Sequence, residues 1–464
     1  MDTTTTTPAA TACLGDWVSR LRYEHIPAAV IAHIKWCLLD GLGCGLYGAR
    51  QPWGVKCTDY ARQQSPDGPS SLWGSPWRSG PADAALANGT AVHGFEIDDV
   101  HLRSLIHPGA VTIPAALAVA EARHSSGRVF LSSLVAGYEV GLRVGVCAGI
   151  PHQLRGYHPT GTVGSVGAAA AVANLLQLAP SAATDALAIG ATQASGLYAA
   201  VRTGAMVKRL HAGRAAQSGV IAGLLAEEGL TGSPDALEAP LGGFMGTLGH
   251  EQEPREMTRG LGERWETAEV GFKAYAACAS AHTIIDAVLA MRKKGLSGEN
   301  LGHLQIRMSK SAMNNVGWPY QPSGVVAAQM NGYYAAAVTL LDGEAFVDQY
   351  AEARLADPRI IELGKRMAIT HDPDLDVGGA STRHAVIATA QLAGGEVLSE
   401  RVEQRRGSGK YPLSASEIEL KFRRTAGAVF GPARLDAIGE FVDTLEKQTD
   451  MQRLGGLLMT SSDH

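Results

Sequence analysis

Apolar residues recur every three or four positions along most of the chain up to about residue 268. This spacing places them on one face of a helix, so it predicts helices that each bury one side. The periodic segments are rich in Ala and Leu and end near Gly, Pro or Ser, which are common helix limits. Strand-like alternation is hard to find in the same stretch. We therefore predict an all-helical domain, including a helix that opens at Pro114 after the loop His107–Gly109.

The pattern changes after Lys273. The stretch Leu301–Ala312 alternates between apolar and polar residues, and Arg383–Gln404 predicts a β-hairpin with Gly394 and Gly395 at its turn. Helical spacing returns between these two stretches. The combination predicts a smaller α+β domain in the middle of the chain.

Helical spacing returns once more near the end of the chain. Ser414 followed three residues later by Glu417 is a capping-box signature, which marks the start of a helix. We expect this last helical part to pack back on the first domain.

Composition narrows the class of protein. The 464 residues include 40 basic and 45 acidic ones, a net charge of −5 without long runs of either sign, which disfavours nucleic acid and anionic membranes as partners. Six scattered cysteines without a CxxC pair are typical of reduced thiols in a cytosol-like compartment. The most apolar run, Gly161–Leu176, is shorter than the roughly 20 strongly apolar residues of a membrane span, and its small residues suit close helix packing. MDTTTTTPAATA lacks the features of a signal peptide, so we expect a soluble, cytoplasmic protein.

The stretch His93–Gly109, HGFEIDDVHLRSLIHPG, concentrates three histidines and three carboxylates. It is a candidate metal site, a candidate proton-transfer site, or a crowded polar loop. A zinc site needs three or four convergent ligands, and the HxxE spacing of His93 and Glu96 is not the HExxH pattern. We therefore predict no metal ligand here. The proton-transfer and polar-loop interpretations stay open at this point.

Two other segments place ionisable residues among small ones. His158 precedes a Gly-rich, helix-forming run and is followed by proline, as His107 is. Lys208 and His211 share one face of a predicted helix, among Ala, Gly and Met. A partly desolvated lysine suits proton transfer or carboxylate binding. Close packing for the glycines and a solvated basic face for the lysine are the structural alternatives.

A further segment joins the two predicted domains. Lys273 stands alone among apolar and small residues, and Cys278 and His282 follow it. No oxyanion-hole motif accompanies Cys278, so we interpret it as packing or pocket lining rather than as a nucleophile. Tyr334 is expected in the core or in a pocket wall.

These segments have histidines and isolated lysines in common, and the chain has no P-loop, Rossmann fingerprint, GxSxG motif or zinc spacing. Histidines and lysines without these motifs suit a cofactor-free site that binds a polycarboxylate and moves protons next to a carboxylate.

The chain resembles the MmgE/PrpD family, whose members include 2-methylcitrate dehydratase, cis-aconitate decarboxylase and iminodisuccinate epimerase. The motifs that carry the resemblance run over nearly the whole chain: NGTAVHGFEIDDVH, HPGAVTIPAALA, GYHPTGTVGSVGAAAAVANLL, TQASGL, GAMVKRLHAGRAAQSGVIAGLLAEEGLTG, FKAYAACASAH and AAVTLLDG. This combination is specific for the family and much less specific for the reaction.

The resemblance implies a mainly α fold with two domains. The large all-helical domain is built from both chain ends, here residues 1–268 and 411–464, and a smaller α+β lid domain with an antiparallel sheet takes residues 269–410. It also implies a homodimer, a site between the domains, and no metal or organic cofactor.

The resemblance also implies site residues. His107 matches the family's proposed catalytic histidine, and His158, Lys208, Lys273 and Tyr334 match other pocket positions. Glu96 stands where many members have Asp, and Cys278 stands where some members have His. With the reasoning from the residues, the predicted catalytic set is His107, Lys208, Lys273, His158 and Glu96, and the predicted substrate-binding set is Arg103, Asp99, His211, Cys278, His282 and Tyr334.

The predicted function is a cofactor-independent lyase that dehydrates or decarboxylates a citrate- or aconitate-like acid by proton transfer at carbon next to a carboxylate. The alternative is an epimerase of an iminodisuccinate-like dicarboxylic acid. A non-catalytic carboxylate-binding protein and a metalloenzyme are the competitors from other classes.

Overall fold

A computed structural model describes residues 9–200, 205–249, 254–377 and 382–461. Most of these residues are helical, which confirms the predicted mainly α fold. The helices are Ala10–Arg20, Ala28–Ala49, Pro52–Gln64, Pro81–Val92, Pro108–Ala122, Gly127–Leu154, Pro159–Leu175, Pro180–Thr192, Val207–Glu227, Phe244–Thr247, Ala279–Lys293, Lys310–Val316, Val325–Gln329, Gly332–Asp342, Pro358–Lys365, Ala415–Ala426, Pro432–Asp443 and Gln452–Leu457. The strands are Ser70–Ser71, Arg78–Ser79, Leu301–Met308, Met367–His371, Val386–Leu392 and Val397–Val402.

Small residues let the central helices approach closely. The Val207–Glu227 helix packs against Pro81–Val92 and Pro159–Leu175. A Cβ atom on Gly213 would lie 2.2 Å from the Leu86 carbonyl oxygen, so a larger residue there would push the helices apart. This packing fixes the helices that carry several of the predicted site residues.

Four strands form one mixed sheet, in the order Met367–His371, Leu301–Met308, Val386–Leu392, Val397–Val402. The predicted hairpin is present, and Gly395 at its turn has a φ of 89°, which favours glycine. The prediction of an antiparallel sheet needs one correction, because Met367–His371 runs parallel to Leu301–Met308. A parallel neighbour needs a long crossover, which local alternation in the sequence does not reveal. We call residues 279–402 the sheet region.

Each His-Pro pair stands at the start of a helix. Helices begin at Pro108 and Pro159, with His107 and His158 directly before them. Proline suits the first helical turn and keeps the preceding residue out of the helical conformation. The predicted helix start at Pro114 is therefore wrong: the helix is already formed there and continues through Pro114, because burial of its apolar residues outweighs the cost of about 3 kcal/mol for an internal proline.

Two helices, Ala28–Ala49 and Gly127–Leu154, are long and apolar enough to cross a membrane by length and composition. Their most apolar windows are 72% and 89% buried inside the protein. Helices in a protein core are buried to this extent, and they meet the same criteria of length and composition.

The last part of the chain packs on the first helices. The predicted capping box is present, with reciprocal hydrogen bonds between Ser414 and Glu417 at the start of the Ala415–Ala426 helix. That helix lies against Ala28–Ala49. The limits of the two domains stay predictions.

Lys421 of the Ala415–Ala426 helix ties three distant parts of the chain together. Its Nζ lies 2.6 Å from Asp40 Oδ1 and also donates to the carbonyl oxygen of Ile97. Lys421 and Asp40 are both buried, so each charge depends on the other. The helix near the end of the chain thereby holds the loop that carries Glu96 and Asp98.

We predict that Lys421→Met lowers the free energy of unfolding by roughly 3–5 kcal/mol, because it leaves the Asp40 carboxylate buried without a cation. Chemical denaturation measures the change. Arg20→Met is the matched control: it breaks an ion pair with Asp16 whose side chains are 73% and 44% exposed, so we expect at most about 0.5 kcal/mol. Equal losses in the two variants would contradict the prediction.

Candidate active site

The loop between the Pro81–Val92 and Pro108–Ala122 helices has a defined backbone. Glu96 adopts the left-handed conformation, with φ 58° and ψ 28°, a conformation that costs a non-glycine residue roughly 1–3 kcal/mol. Val100 and Gly271 exchange two backbone hydrogen bonds of 2.9 and 3.0 Å. This bridge brings Lys273, which is far away in the chain, to the same loop.

Three cations surround the Glu96 carboxylate. Lys208 Nζ contacts Oε1, Arg209 Nη1 lies 2.6 Å from Oε1, and Lys273 Nζ lies 2.8 Å from Oε2. All four side chains are buried. Burial alone raises the pKa of Glu96, but Lys208, Lys273 and Arg209 outweigh it and hold that pKa well below the ordinary value. Three positive charges and one negative charge give the cluster a net charge of +2.

The Asp98 carboxylate lies between two histidines. Its Oδ2 is 2.7 Å from His93 Nδ1 and 3.2 Å from His107 Nδ1. Burial opposes ionisation of Asp98, yet the two imidazoles hold its pKa well below the ordinary value. Burial lowers the pKa of His93 to about 3, so His93 is neutral near pH 7. An ionised Asp98 that faces Nδ1 favours the proton on that nitrogen and leaves Nε2 of each ring for other partners.

More histidines continue this cluster. The His93 ring centroid is 4.8 Å from that of His107 and 5.5 Å from that of His158. Behind His158, the Nδ1 atoms of His158 and His211 are 3.1 Å apart. Burial, with the neighbouring cations, lowers the pKa of His158 well below the ordinary value. His93, His158 and His211 are therefore neutral proton donors or acceptors near pH 7. His107 borders the cavity beside Asp98.

A cavity connects these clusters with the sheet region. Glu96, His107, His158, Lys208 and Lys273, which are the five predicted catalytic residues, all line it, and so does Cys278. Other parts of its wall come from Val100, Leu102, Leu105, Gln153, Pro159, Tyr198, Ala279, Ser280, Ser311, Asn315, Met330, Arg383 and His384. Glu96 is the one carboxylate among the described lining residues.

Five of the predicted substrate-binding residues do not line the cavity. Asp99 accepts hydrogen bonds from the Gly109 amide and the Tyr138 hydroxyl, behind the His107 helix. Arg103 turns outward to Glu266. His211 stands behind His158, His282 contacts the Ala277 carbonyl oxygen, and the Tyr334 hydroxyl donates to the Gln349 carbonyl oxygen within the buried sheet region. These five residues therefore lie outside the lining of this cavity, and their predicted role in substrate binding stays a prediction.

Several cavity or cluster residues were missed by the sequence reasoning. Asp98 and His93 are in neither of the predicted residue sets, although both belong to the histidine cluster beside His107. Arg209 follows Lys208 directly and contacts the same carboxylate. Arg383 and His384 stand at the start of the predicted hairpin, and β-strand alternation by itself does not indicate a site. The signal in the sequence for a site here is the pair of ionisable residues, Arg383 and His384, that opens RHAVIATAQL.

One set of described residues offers the donors that a metal ion requires. His93, Asp98 and His107 place one ligand atom each within 4.8 Å of one another. The prediction that no residue binds a metal stays a prediction.

The MmgE/PrpD N-terminal domain family matches residues 12–256, and the MmgE/PrpD C-terminal domain family matches residues 275–447. The chain belongs to the MmgE/PrpD family. The cavity has walls from both matched parts, since His107 and His158 lie in the first and Cys278 and Arg383 in the second.

Relatives within the MmgE/PrpD family match the chain over almost its full length. A cis-aconitate decarboxylase-like protein, oryM, of Aspergillus oryzae is 32% identical, over 99% of this chain and 99% of its own. The cis-aconitate decarboxylase of Aspergillus terreus is 31% identical, over 97% of this chain and 95% of its own. The cis-aconitate decarboxylase of Mus musculus is 28% identical, over 94% and 91%.

We predict that Asp99 makes stability depend on pH. Burial raises its pKa to about 8, so the folded chain keeps a proton that the unfolded chain loses near pH 4. The free energy of unfolding then falls as the pH rises from about 4 to about 8. In Asp99→Asn this contribution is absent, and we expect a shallower fall, measured by chemical denaturation at several pH values.

The control for this prediction is Asp436→Asn, because the Asp436 side chain is 62% exposed. We expect its pH dependence to match that of the wild type. If Asp99→Asn also kept the wild-type slope, the protonated, structural role of Asp99 would be wrong.

Proposed function

We propose that this protein is a lyase that decarboxylates cis-aconitate or a closely similar tricarboxylic acid. The observation that carries the proposal is that His107 lines the same cavity as Lys208 and Lys273 of the cationic cluster. The names of the relatives from two Aspergillus species and from mouse support decarboxylation over the other reactions of the family.

The cationic cluster binds the substrate and stabilises negative charge. Its net charge of +2 remains after Glu96 is counted, so it attracts substrate carboxylates into a cavity with no other described carboxylate in its wall. Lys208 and Lys273 are held in place by Glu96, so they need little reorganisation when charge develops on the substrate. Burial lowers the pKa of Lys208, although Glu96 acts in the opposite direction.

Decarboxylation leaves the electron pair of the broken carbon–carbon bond on the substrate, which must accommodate it. When CO2 leaves the CH2-carboxylate arm of cis-aconitate, the pair of the broken carbon–carbon bond forms a new double bond to the central carbon. The former double-bond carbon, which is next to a carboxylate, becomes the carbanion and takes a proton. Lys208 and Lys273 stabilise the negative charge that this carboxylate shares as an enolate.

His107 supplies that proton. The reacting form of His107 carries a proton on both nitrogens: Asp98 accepts a hydrogen bond from Nδ1–H, Nε2–H gives its proton to the carbanion, and water returns a proton to Nε2 after product formation. Asp98 is thus a positioning residue for His107. These side chains supply the acid and the charge stabilisation, so we propose that the reaction uses no metal or organic cofactor.

A second candidate is epimerisation of a dicarboxylic acid. It is favoured by one observation: His107 and His158 both line the cavity, and epimerisation needs proton removal on one face of a carbon and return on the other. Dehydration of a citrate-like acid would use the same cluster, with an acid for the leaving hydroxyl group.

We also propose a homodimer that acts in the cytoplasm. Cys37, Cys44, Cys57 and Cys278 are free thiols, which fits a reducing compartment. Light scattering coupled to size-exclusion chromatography tests the oligomeric state.

We predict that His107→Asn lowers kcat by about 100- to 10 000-fold, because the proton donor is lost. CO2 release from cis-aconitate measures the rate. His124→Asn is the matched control, since His124 also has its Nδ1 near a carboxylate, 3.0 Å from Asp450, but on the exposed surface. Near-wild-type turnover by folded His107→Asn would overturn the assignment.

We predict one product pattern for cis-aconitate in D2O, followed by NMR and mass spectrometry: loss of one carbon as CO2 and one deuterium on the carbon that was protonated. Deuterium uptake by a dicarboxylic acid without loss of mass from its skeleton would indicate the epimerase. Water loss from a citrate-like acid would indicate a dehydratase. Binding without turnover or exchange would indicate a carboxylate-binding protein.

Elemental analysis of the dialysed, active enzyme separates these outcomes from a metalloenzyme. Stoichiometric metal, with activity that falls when it is removed, would contradict the cofactor-free mechanism and point to His93, Asp98 and His107.

A further inference from the structure

The cavity has a second polar wall, whose residues come later in the chain than those of the Glu96 cluster. Ser280, Asn315, Arg383 and His384 line it, and all four belong to the sheet region. None of the reaction steps above uses them. We call these four residues the sheet-side set.

Arg383 carries a charge that no described carboxylate neutralises. Its Nη2 donates to the Leu102 carbonyl oxygen at 3.1 Å, and its Nε donates to His384 Nε2 at 3.0 Å. Both acceptors are uncharged, and no ion pair joins Arg383 to a carboxylate in the described ranges. Burial lowers the pKa of Arg383, because a buried guanidinium without a carboxylate partner is costly to keep charged. Such a guanidinium is stabilised by an anion that arrives with a ligand.

The hydrogen bonds within the sheet-side set leave the Ser280 hydroxyl free to donate to a ligand. His384 Nε2 accepts from Arg383, so the His384 proton is on Nδ1, which lies 3.1 Å from Ser280 Oγ. Asn315 Nδ2 also donates to Ser280 Oγ, at 3.3 Å. Since the oxygen of Ser280 accepts twice, its own hydrogen is available to a ligand. Ser280 lies in the first turn of the Ala279–Lys293 helix, where the helix dipole also favours an anion.

We infer that the sheet-side set is a carboxylate subsite, in which the Arg383 guanidinium and the Ser280 hydroxyl hold a substrate carboxylate away from the one beside Lys208 and Lys273. This inference rests on the proposed function and deepens it, because it states what the substrate must carry. A ligand that spans the cavity needs carboxylates for both walls. The subsite selects tricarboxylates over dicarboxylates that lack the carboxylate it binds.

Binding of a tricarboxylate that does not react tests the subsite independently of turnover. The probes are propane-1,2,3-tricarboxylate and two dicarboxylates that each lack one of its carboxylates, glutarate and methylsuccinate, with Kd measured by calorimetry. We expect the wild type to prefer the tricarboxylate to both. Arg383→Met should weaken tricarboxylate binding by about 10- to 100-fold, the worth of a charge-assisted contact, and reduce its affinity to that of the better dicarboxylate.

Further variants separate a specific contact from damage to the fold. Arg383→Lys should recover part of the preference, and Ser280→Ala should lose about 10-fold or more in affinity for the tricarboxylate, as expected for one hydrogen bond from a neutral hydroxyl to a charged carboxylate. Arg359→Met is the control, since Arg359 lies in the same region, is exposed, and pairs with Asp357. We expect it to bind as the wild type does.

Kinetics with cis-aconitate complete the test. For Arg383→Met we expect KM to rise by 10-fold or more, with a smaller change in kcat, because the residue binds a carboxylate that does not react. An unchanged tricarboxylate preference in both Arg383→Met and Ser280→Ala would overturn the subsite. If tricarboxylate binding depends on Arg383 while cis-aconitate is not converted, the subsite stands and the proposed reaction fails.

Discussion

The ionised carboxylate of Glu96, buried among three cations, is the constraint on which the cavity depends. A buried charge without partners is very unfavourable, so Glu96 requires Lys208, Arg209 and Lys273, and they require it. These partners come from a helix more than a hundred residues later and from the segment before the sheet region. The ion cluster therefore joins the helical part of the chain to the rest at the wall of the cavity.

The histidine cluster depends on the helices behind it. His107 and His158 stand directly before Pro108 and Pro159, so their backbone positions follow from where two buried helices begin. Those helices are fixed by contacts between small residues, such as Gly213 against the Leu86 carbonyl oxygen. A rigid scaffold of this kind holds proton-transfer groups within the few tenths of an ångström that catalysis requires.

We propose different chemical roles for the two walls of the cavity. The wall with Glu96 and His107 stabilises charge and moves a proton. The wall with Arg383 and Ser280 belongs to the sheet region and holds a carboxylate that does not react.

Sequence patterns by themselves determined the local elements of this protein. The periodic apolar residues predicted the helices, and the His158–Pro159 pair predicted a histidine before a helix start. Gly394 and Gly395 predicted the hairpin turn, and Ser414 predicted a capped helix. Each of these follows from backbone preferences within a few residues. Together with the family motifs, the same patterns brought forward five residues that meet at one cavity.

Tertiary structure decided which neighbouring side chains face the cavity clusters and which face away. Asp98 points to His107, whereas the adjacent Asp99 points to Tyr138, because the left-handed turn at Glu96 and the bridge at Val100 set the direction of the loop. Arg383 reaches the cavity from far along the chain. Side-chain direction and ion pairs between distant segments depend on how helices and sheet pack together, and local preferences carry no information about that packing.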